Sequence, residues 1–64
     1  MAEYKLFCLD AGGVLQAGET IQAASQKEAL ALAAARLERH HRVELWQGAV
    51  RIWTGSRPKP APKD

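Results

Sequence analysis

Val43-Glu44-Leu45-Trp46-Gln47-Gly48-Ala49-Val50-Arg51-Ile52-Trp53 is the stretch on which the fold turns. Branched, aromatic and charged residues alternate on either side of a glycine, which is the pattern of two short strands joined by a tight turn. With Gln47-Gly48 closing the turn as a I′-type pair, Leu45 faces Val50 and Val43 faces Ile52 on one side. The other side then pairs Glu44 with Arg51 and Arg42 with Trp53, an ion pair and a cation–π contact. The first side is an apolar surface that another element must cover.

The covering element lies just upstream. Ser25-Gln26-Lys27-Glu28 is a capping box, in which the Ser25 hydroxyl accepts from the Glu28 N–H and the Glu28 carboxylate reaches back. From there to about His40 nearly every residue favours helix, and Ala29, Leu30, Ala33, Ala34 and Leu37 fall on one face. A face made mostly of alanine lets a helix lie close to a sheet. Further upstream, Tyr4 to Asp10 is an apolar run of strand length. Asp10-Ala11-Gly12-Gly13 has turn chemistry, since glycine supplies positive φ and Asp bonds its own backbone. Val14 to Ala17 returns as a strand, and Gly18-Glu19-Thr20 interrupts it before Ile21-Gln22-Ala23. The order is strand, strand, helix, strand, strand. The expected class is α+β, a ββαββ chain with a small antiparallel sheet and one helix across one face. Residues 1–54 are expected to form this single domain. Residues 55–64, with three prolines among polar residues, are expected to be a disordered Pro/Lys tail.

Sixty-four residues allow one thin core. Twelve of the apolar residues are alanine, so an isolated copy is expected to be marginal and self-association, as a homodimer, is expected to help. Cys8 is the sole cysteine, which excludes an intrachain disulfide and a cysteine-based zinc site. No signal peptide or membrane span can be read, and a cytoplasmic location is expected. Residues 1–54 carry six basic and six acidic side chains; the net +2 comes from Arg57, Lys59 and Lys63 against Asp64. Overall charge therefore gives no argument for nucleic acid.

Candidate chemistry is sparse. Leu6 to Leu15 resembles the first motif of haloacid-dehalogenase-type phosphatases, a strand followed by Asp-x-Asp-Gly-Val-Leu, in which the first Asp is the nucleophile. Asp10 matches it, but Gly12 stands where the second Asp belongs, and a hairpin turn is the better reading. His40 and His41 are adjacent and cannot chelate from one helix face; with Arg39 and Arg42 they place positive charge at the helix C-terminus. Arg36, Arg39 and Arg42, with Lys59 and Lys63 in the tail, are the candidate nucleic-acid contacts; the alternative is a solvated helix end with a Glu38–Arg42 pair. No metal or cofactor set is found, and the chain reads as non-enzymatic. Trp46 and Trp53, beside Glu44 and Arg51, fall opposite the helix and form the candidate protein-interaction patch, unless the first hairpin or the tail folds over them.

Tyr4-x-Leu6-x-x-Leu9-Asp10-x-x-Gly13, Ser25-x-x-Glu28-Ala29 and Val43-Glu44-Leu45-Trp46-x-Gly48 together resemble a family of very short bacterial proteins of ββαββ layout, over about residues 4–53. That resemblance implies a fold and no chemistry. Asp10, Gly12, Gly13, Glu28, Ala29 and Leu30 also follow the order seen in HicB-type antitoxin domains, which implies an antitoxin-like, nucleic-acid-associated role as the alternative function.

Overall fold

A computed structural model describes residues 1–57. Two strands come first, β1 (Ala2–Leu9) and β2 (Leu15–Ala23), then helix α1 (Gln26–Ala35) running into a 3₁₀ turn (Arg36–Glu38), then β3 (Arg42–Gln47) and β4 (Val50–Ser56). All pairings are antiparallel, and the strand order is β2-β1-β3-β4. The fold is thus α+β in the order ββαββ. The helix carries the chain across β1, from edge strand β2 to β3.

Asp10 organises the first hairpin. Its Oδ1 accepts the N–H groups of Gly12 and Val14, both at 2.9 Å, and its Oδ2 accepts from Gln16 Nε2 at 3.3 Å. Gly13, at φ 83°, takes the left-handed position that closes the loop. β2 is one continuous strand, where the sequence suggested a break at Gly18. Phe7 stands opposite Gly18, and a Cβ at Gly18 would lie 3.3 Å from Phe7 Cδ1. The glycine accommodates a cross-strand ring, so its weak strand propensity is overridden. Ile21 to Ala23 join the sheet as the end of the same strand.

Tyr4, Leu6 and Cys8 of β1 and Val43 and Leu45 of β3 form the buried face, with Ala23 beside them and Ala29 and Ala33 of α1 above. Leu6 pairs directly with Leu45, and Cys8 with Val43. Only Leu6, Leu45 and Val43 are large and fully enclosed. The two buried helix residues are one turn apart and both alanine, so α1 rests close on the central strands. Ser25 caps it, accepting from the Glu28 N–H at 3.2 Å, while among the described residues the expected return bond from the Ser25 N–H to the Glu28 carboxylate does not form. The α-helix ends at Ala35, short of His40. The carbonyls of Leu37 and Glu38 are met by the Arg57 guanidinium, through Nε at 3.0 Å and Nη2 at 2.7 Å. An arginine just past the end of β4 thus meets the last carbonyls, where the sequence pointed to Arg39 and its neighbours.

The second hairpin corrects the expected register. The turn is Gly48-Ala49, with Gln47 opposite Val50 and positive φ at Gly48 alone, as a II′ turn requires. Near the turn Arg51 pairs with Trp46 rather than Glu44, and at the far end Arg42 pairs with Ser56 rather than Trp53. An irregularity between Leu45 and Trp46 then gives β4 one extra residue, Ile52, and Leu45 pairs with Trp53 rather than Val50. A single-residue slip reverses the facing of everything beyond it. Trp53 consequently turns to the helix side and packs on the core with Ile52 and Leu37. β4 also extends through Ser56, two residues past the boundary read from the sequence, and the Arg57 N–H bonds the His41 carbonyl at 2.8 Å. Residues 58–64, the rest of the expected tail, lie outside the described residues.

Gly55 makes room for that indole. A Cβ at Gly55 would come within 2.6 Å of Trp53 Cζ2, closer still to Cη2, and 3.2 Å from Leu37 Cδ1. Gly55→Ala is therefore expected to lower stability by about 1–3 kcal/mol, the usual cost of overpacking. Urea unfolding checks it: the midpoint falls, and Trp53 emission in the native state moves to the red as the ring is displaced.

Candidate interaction surface on the open sheet face

The face of the sheet turned away from α1 follows from alternation. Lys5 and Phe7 of β1, Arg42, Glu44 and Trp46 of β3, and Arg51 of β4 point away from the strand positions that form the core. Lys5 pairs with Trp46 and Phe7 with Glu44, which sets Phe7 and Trp46 on a diagonal. Their rings meet edge to face, centroids 6.4 Å apart and planes at 83°, the arrangement aromatic quadrupoles favour. Both rings remain partly exposed. A shallow cleft of about 410 Å³ opens beside them, walled by Lys5, Phe7, Trp46, Gly48 and Ala49.

Glu44 holds this arrangement in place. Its Oε1 accepts from Trp46 Nε1 at 3.0 Å, and its Oε2 lies 3.5 Å from an Arg51 nitrogen. The carboxylate is mostly covered, at 18% exposure, whereas Arg51 is half in water at 52%. The ion pair is therefore screened and contributes little by itself. Its effect is to fix the orientation of the indole. Three of the four residues proposed from sequence as an interaction patch, Glu44, Trp46 and Arg51, stand together here. The fourth, Trp53, is on the opposite side of the sheet for the reason given above. Phe7 takes its place. The sequence reading passed over it, although the alternation of Lys5, Phe7 and Leu9 against Leu6 and Cys8 carries the signal.

The basic residues do not share one surface. Arg36 reaches across to β2, where Nε and Nη2 donate to Glu19 Oε1 at 3.0 and 2.6 Å. Arg39 is exposed at the end of the 3₁₀ turn, and Arg42 sits on β3 opposite Leu9 and Ser56. Lys59 and Lys63 lie outside the described residues. Among the described residues the expected Glu38–Arg42 ion pair does not form, because the helix stops before it can set those side chains one turn apart.

Asp10, the residue that resembled a nucleophile, has both oxygens committed to the turn. Cys8 is buried under the helix, and its thiol is pushed up from the ordinary range, chiefly by burial and further by the Glu19 carboxylate, with Arg36 acting the other way. Among the described residues no group of three or more His, Cys, Asp or Glu side chains could hold a metal ion, and no helix is long and apolar enough to cross a membrane. No family model matches the chain, and no curated protein or solved structure matches it either.

Burial makes Cys8 a reporter of folding. The folded protein holds the thiol protonated where an unfolded chain ionises, so this group's contribution to stability is present at neutral pH and declines as pH rises past the ordinary thiol value of about 8.5. Labelling by a thiol reagent should be slow in buffer and rapid in denaturant, and Cys8→Ala should flatten the alkaline fall in stability. Fast labelling of the native protein would contradict the burial.

Proposed function

We propose that the chain is a non-enzymatic, cytoplasmic protein-interaction module, and that the partner on its open sheet face is a second copy of itself. The observation that carries this reading is the Phe7–Trp46 pair, oriented by Glu44 on a face that no other described element covers. A solvated sheet face is common in antiparallel proteins, but such faces are ordinarily polar. Here the centre is aromatic and the surround carries Lys5, Arg42 and Arg51 with Glu44. Tryptophan and arginine are among the residues that dominate binding energy in interfaces. In an isologous contact each copy meets the other with this same patch, so the aromatic centre of one covers that of the other.

The thin core supports the same reading. With three large side chains fully enclosed, a second layer over the open face would add much to what is buried. Completing the burial of Phe7 and Trp46 contributes roughly 1–2 kcal/mol per ring at about 25 cal/mol per Å². Four rings across a dimer give roughly 4–8 kcal/mol before the entropy of association is subtracted. The dimer is therefore expected to be modest in affinity and dependent on concentration. A lone, protonated, buried cysteine fits a reducing compartment. A nucleic-acid or antitoxin-like role through Arg36, Arg39 and Arg42 has less support, since Glu19 pairs with Arg36 and the three stand on different parts of the surface.

The two tryptophans make the test clean, because Trp53 reports on the core and Trp46 on the face. In a Trp53→Phe background, Trp46 emission should shift to the blue as concentration rises through the micromolar range, while sedimentation passes from monomer to dimer. Trp46→Ser should stay folded by circular dichroism and remain a monomer. A wild-type chain that sediments as a monomer at the highest soluble concentration would remove the proposal.

A further inference from the structure

The opposite feature of the surface lies at one end of the sheet. There a cleft of about 460 Å³ opens between the Asp10–Gly13 turn and the strand ends that carry His41, Arg42, Ser56 and Arg57. It shares Arg42 with the rim of the aromatic face, but it contains neither Phe7 nor Trp46, so the Trp46→Ser test of the dimer leaves it intact. Arg42 and Ser56 are directly paired across β3 and β4, and the Arg57 N–H is bonded to the His41 carbonyl, so the strand ends are locked side by side. The Arg57 guanidinium is held by the Leu37 and Glu38 carbonyls through Nε and Nη2, and among the described residues Nη1 has no bonded partner.

The charge balance of this cleft is uneven. Arg36 and Arg51 each have a carboxylate partner, but among the described residues Arg42 and Arg57 have none within ion-pair distance. The one carboxylate in the wall, Asp10, is engaged by two backbone N–H groups and Gln16. Arg42, Arg57, His41 and Ser56 thus line one concavity in which Asp10 is the single carboxylate. Arginine presents a planar fork of donors that matches phosphate oxygens, and a guanidinium already fixed in place loses less entropy on binding. We propose that this cleft binds a phosphate group, with Arg42 as the principal contact and Arg57 as a pre-positioned second. The same chemistry is offered by a free phosphate compound and by the phosphodiester of single-stranded nucleic acid.

The experiment follows backbone amide signals of the full ¹⁵N-labelled chain during titration with pyrophosphate and, separately, with a short single-stranded oligonucleotide. Saturating shifts at the amides of residues 10–13, 41–42 and 56–57 are expected. Arg42→Gln should weaken binding by about tenfold, the loss of one charge-assisted hydrogen bond. Arg39→Gln, an exposed arginine outside the cleft, should leave it unchanged. If pyrophosphate saturates and the oligonucleotide does not compete, the natural source is a free phosphate compound. If the oligonucleotide displaces pyrophosphate and its log affinity falls with log salt by roughly 0.7 per phosphate contacted, the source is a nucleic-acid backbone. Shifts that never saturate, or equal losses from Arg42→Gln and Arg39→Gln, would overturn the proposal in favour of diffuse charge screening.

Discussion

The extra residue in β4 governs both sides of this sheet. Without Ile52 as an irregularity opposite Leu45 and Trp46, strict alternation would keep Trp53 on the same face as Arg51 and Trp46. The helix side would then lose its largest partly buried ring, and α1, which brings only Ala29 and Ala33 fully into the core, has nothing bulky with which to replace it. The bulge sends one indole to each face. Gly55 and Leu37 complete the arrangement on the helix side, the glycine by leaving space and the leucine by covering the ring. On the other side Trp46 is left with Phe7 as its only aromatic neighbour, and the carboxylate of Glu44 becomes free to hold its indole.

Much of the fold could be read from the residues, and the part that could not has a definite cause. The Ser25 cap and the Asp10–Gly13 turn are local signals and form where local chemistry puts them, whereas the alternation in Val43–Trp53 gives the hairpin but places its turn one residue early. The bulge is different, because it is set by what the ring of Trp53 can gain under the helix, and no two-residue period reveals that. The same holds for Gly18. Taken alone it reads as a break, and its place inside β2 makes sense only once Phe7 lies across it. The helix end is a third instance. Arg39, His40 and His41 are adjacent in sequence and look like the terminal charge, but the guanidinium that takes the carbonyls comes from Arg57, nineteen and twenty positions away from the residues it serves. Of the candidate patch, Glu44, Trp46 and Arg51 share one face because they precede Ile52 along the chain, and Trp53 leaves it because it follows.

An alanine-faced helix has a further consequence for where apolar surface ends up. Close approach of α1 lets the core be dense with few large side chains, and it leaves little volume between helix and sheet for the remaining aromatics. Tyr4 and Trp53 take what space there is, Tyr4 almost fully enclosed and Trp53 partly. Phe7 and Trp46 have no room on that side. Moving either would demand a wider gap, and a wider gap would separate Ala29 and Ala33 from Leu6, Val43 and Leu45, with the loss of packing that a void brings. The aromatic patch outside is in this sense a result of the thin interior, and evolution of a contact on that face needs no change to the core.

The same economy of large residues shifts the work of holding the edges onto polar side chains. Glu19 on β2 is tied to Arg36 at the helix end, and Arg57 at the end of β4 is tied to the carbonyls of the 3₁₀ turn. These two ties bring the outer strands to the helix end from opposite sides, outside the fully buried core. Each is exposed, so each contributes modestly to stability. Their geometric effect is larger than their energy, since they decide which arginines remain free. Arg36 is spent on Glu19, whereas Arg57, bonded through Nε and one Nη to main-chain carbonyls, lines the cleft together with Arg42. A positive site at that end of the sheet is thus a by-product of how β4 is anchored, just as the aromatic face is a by-product of how α1 is packed.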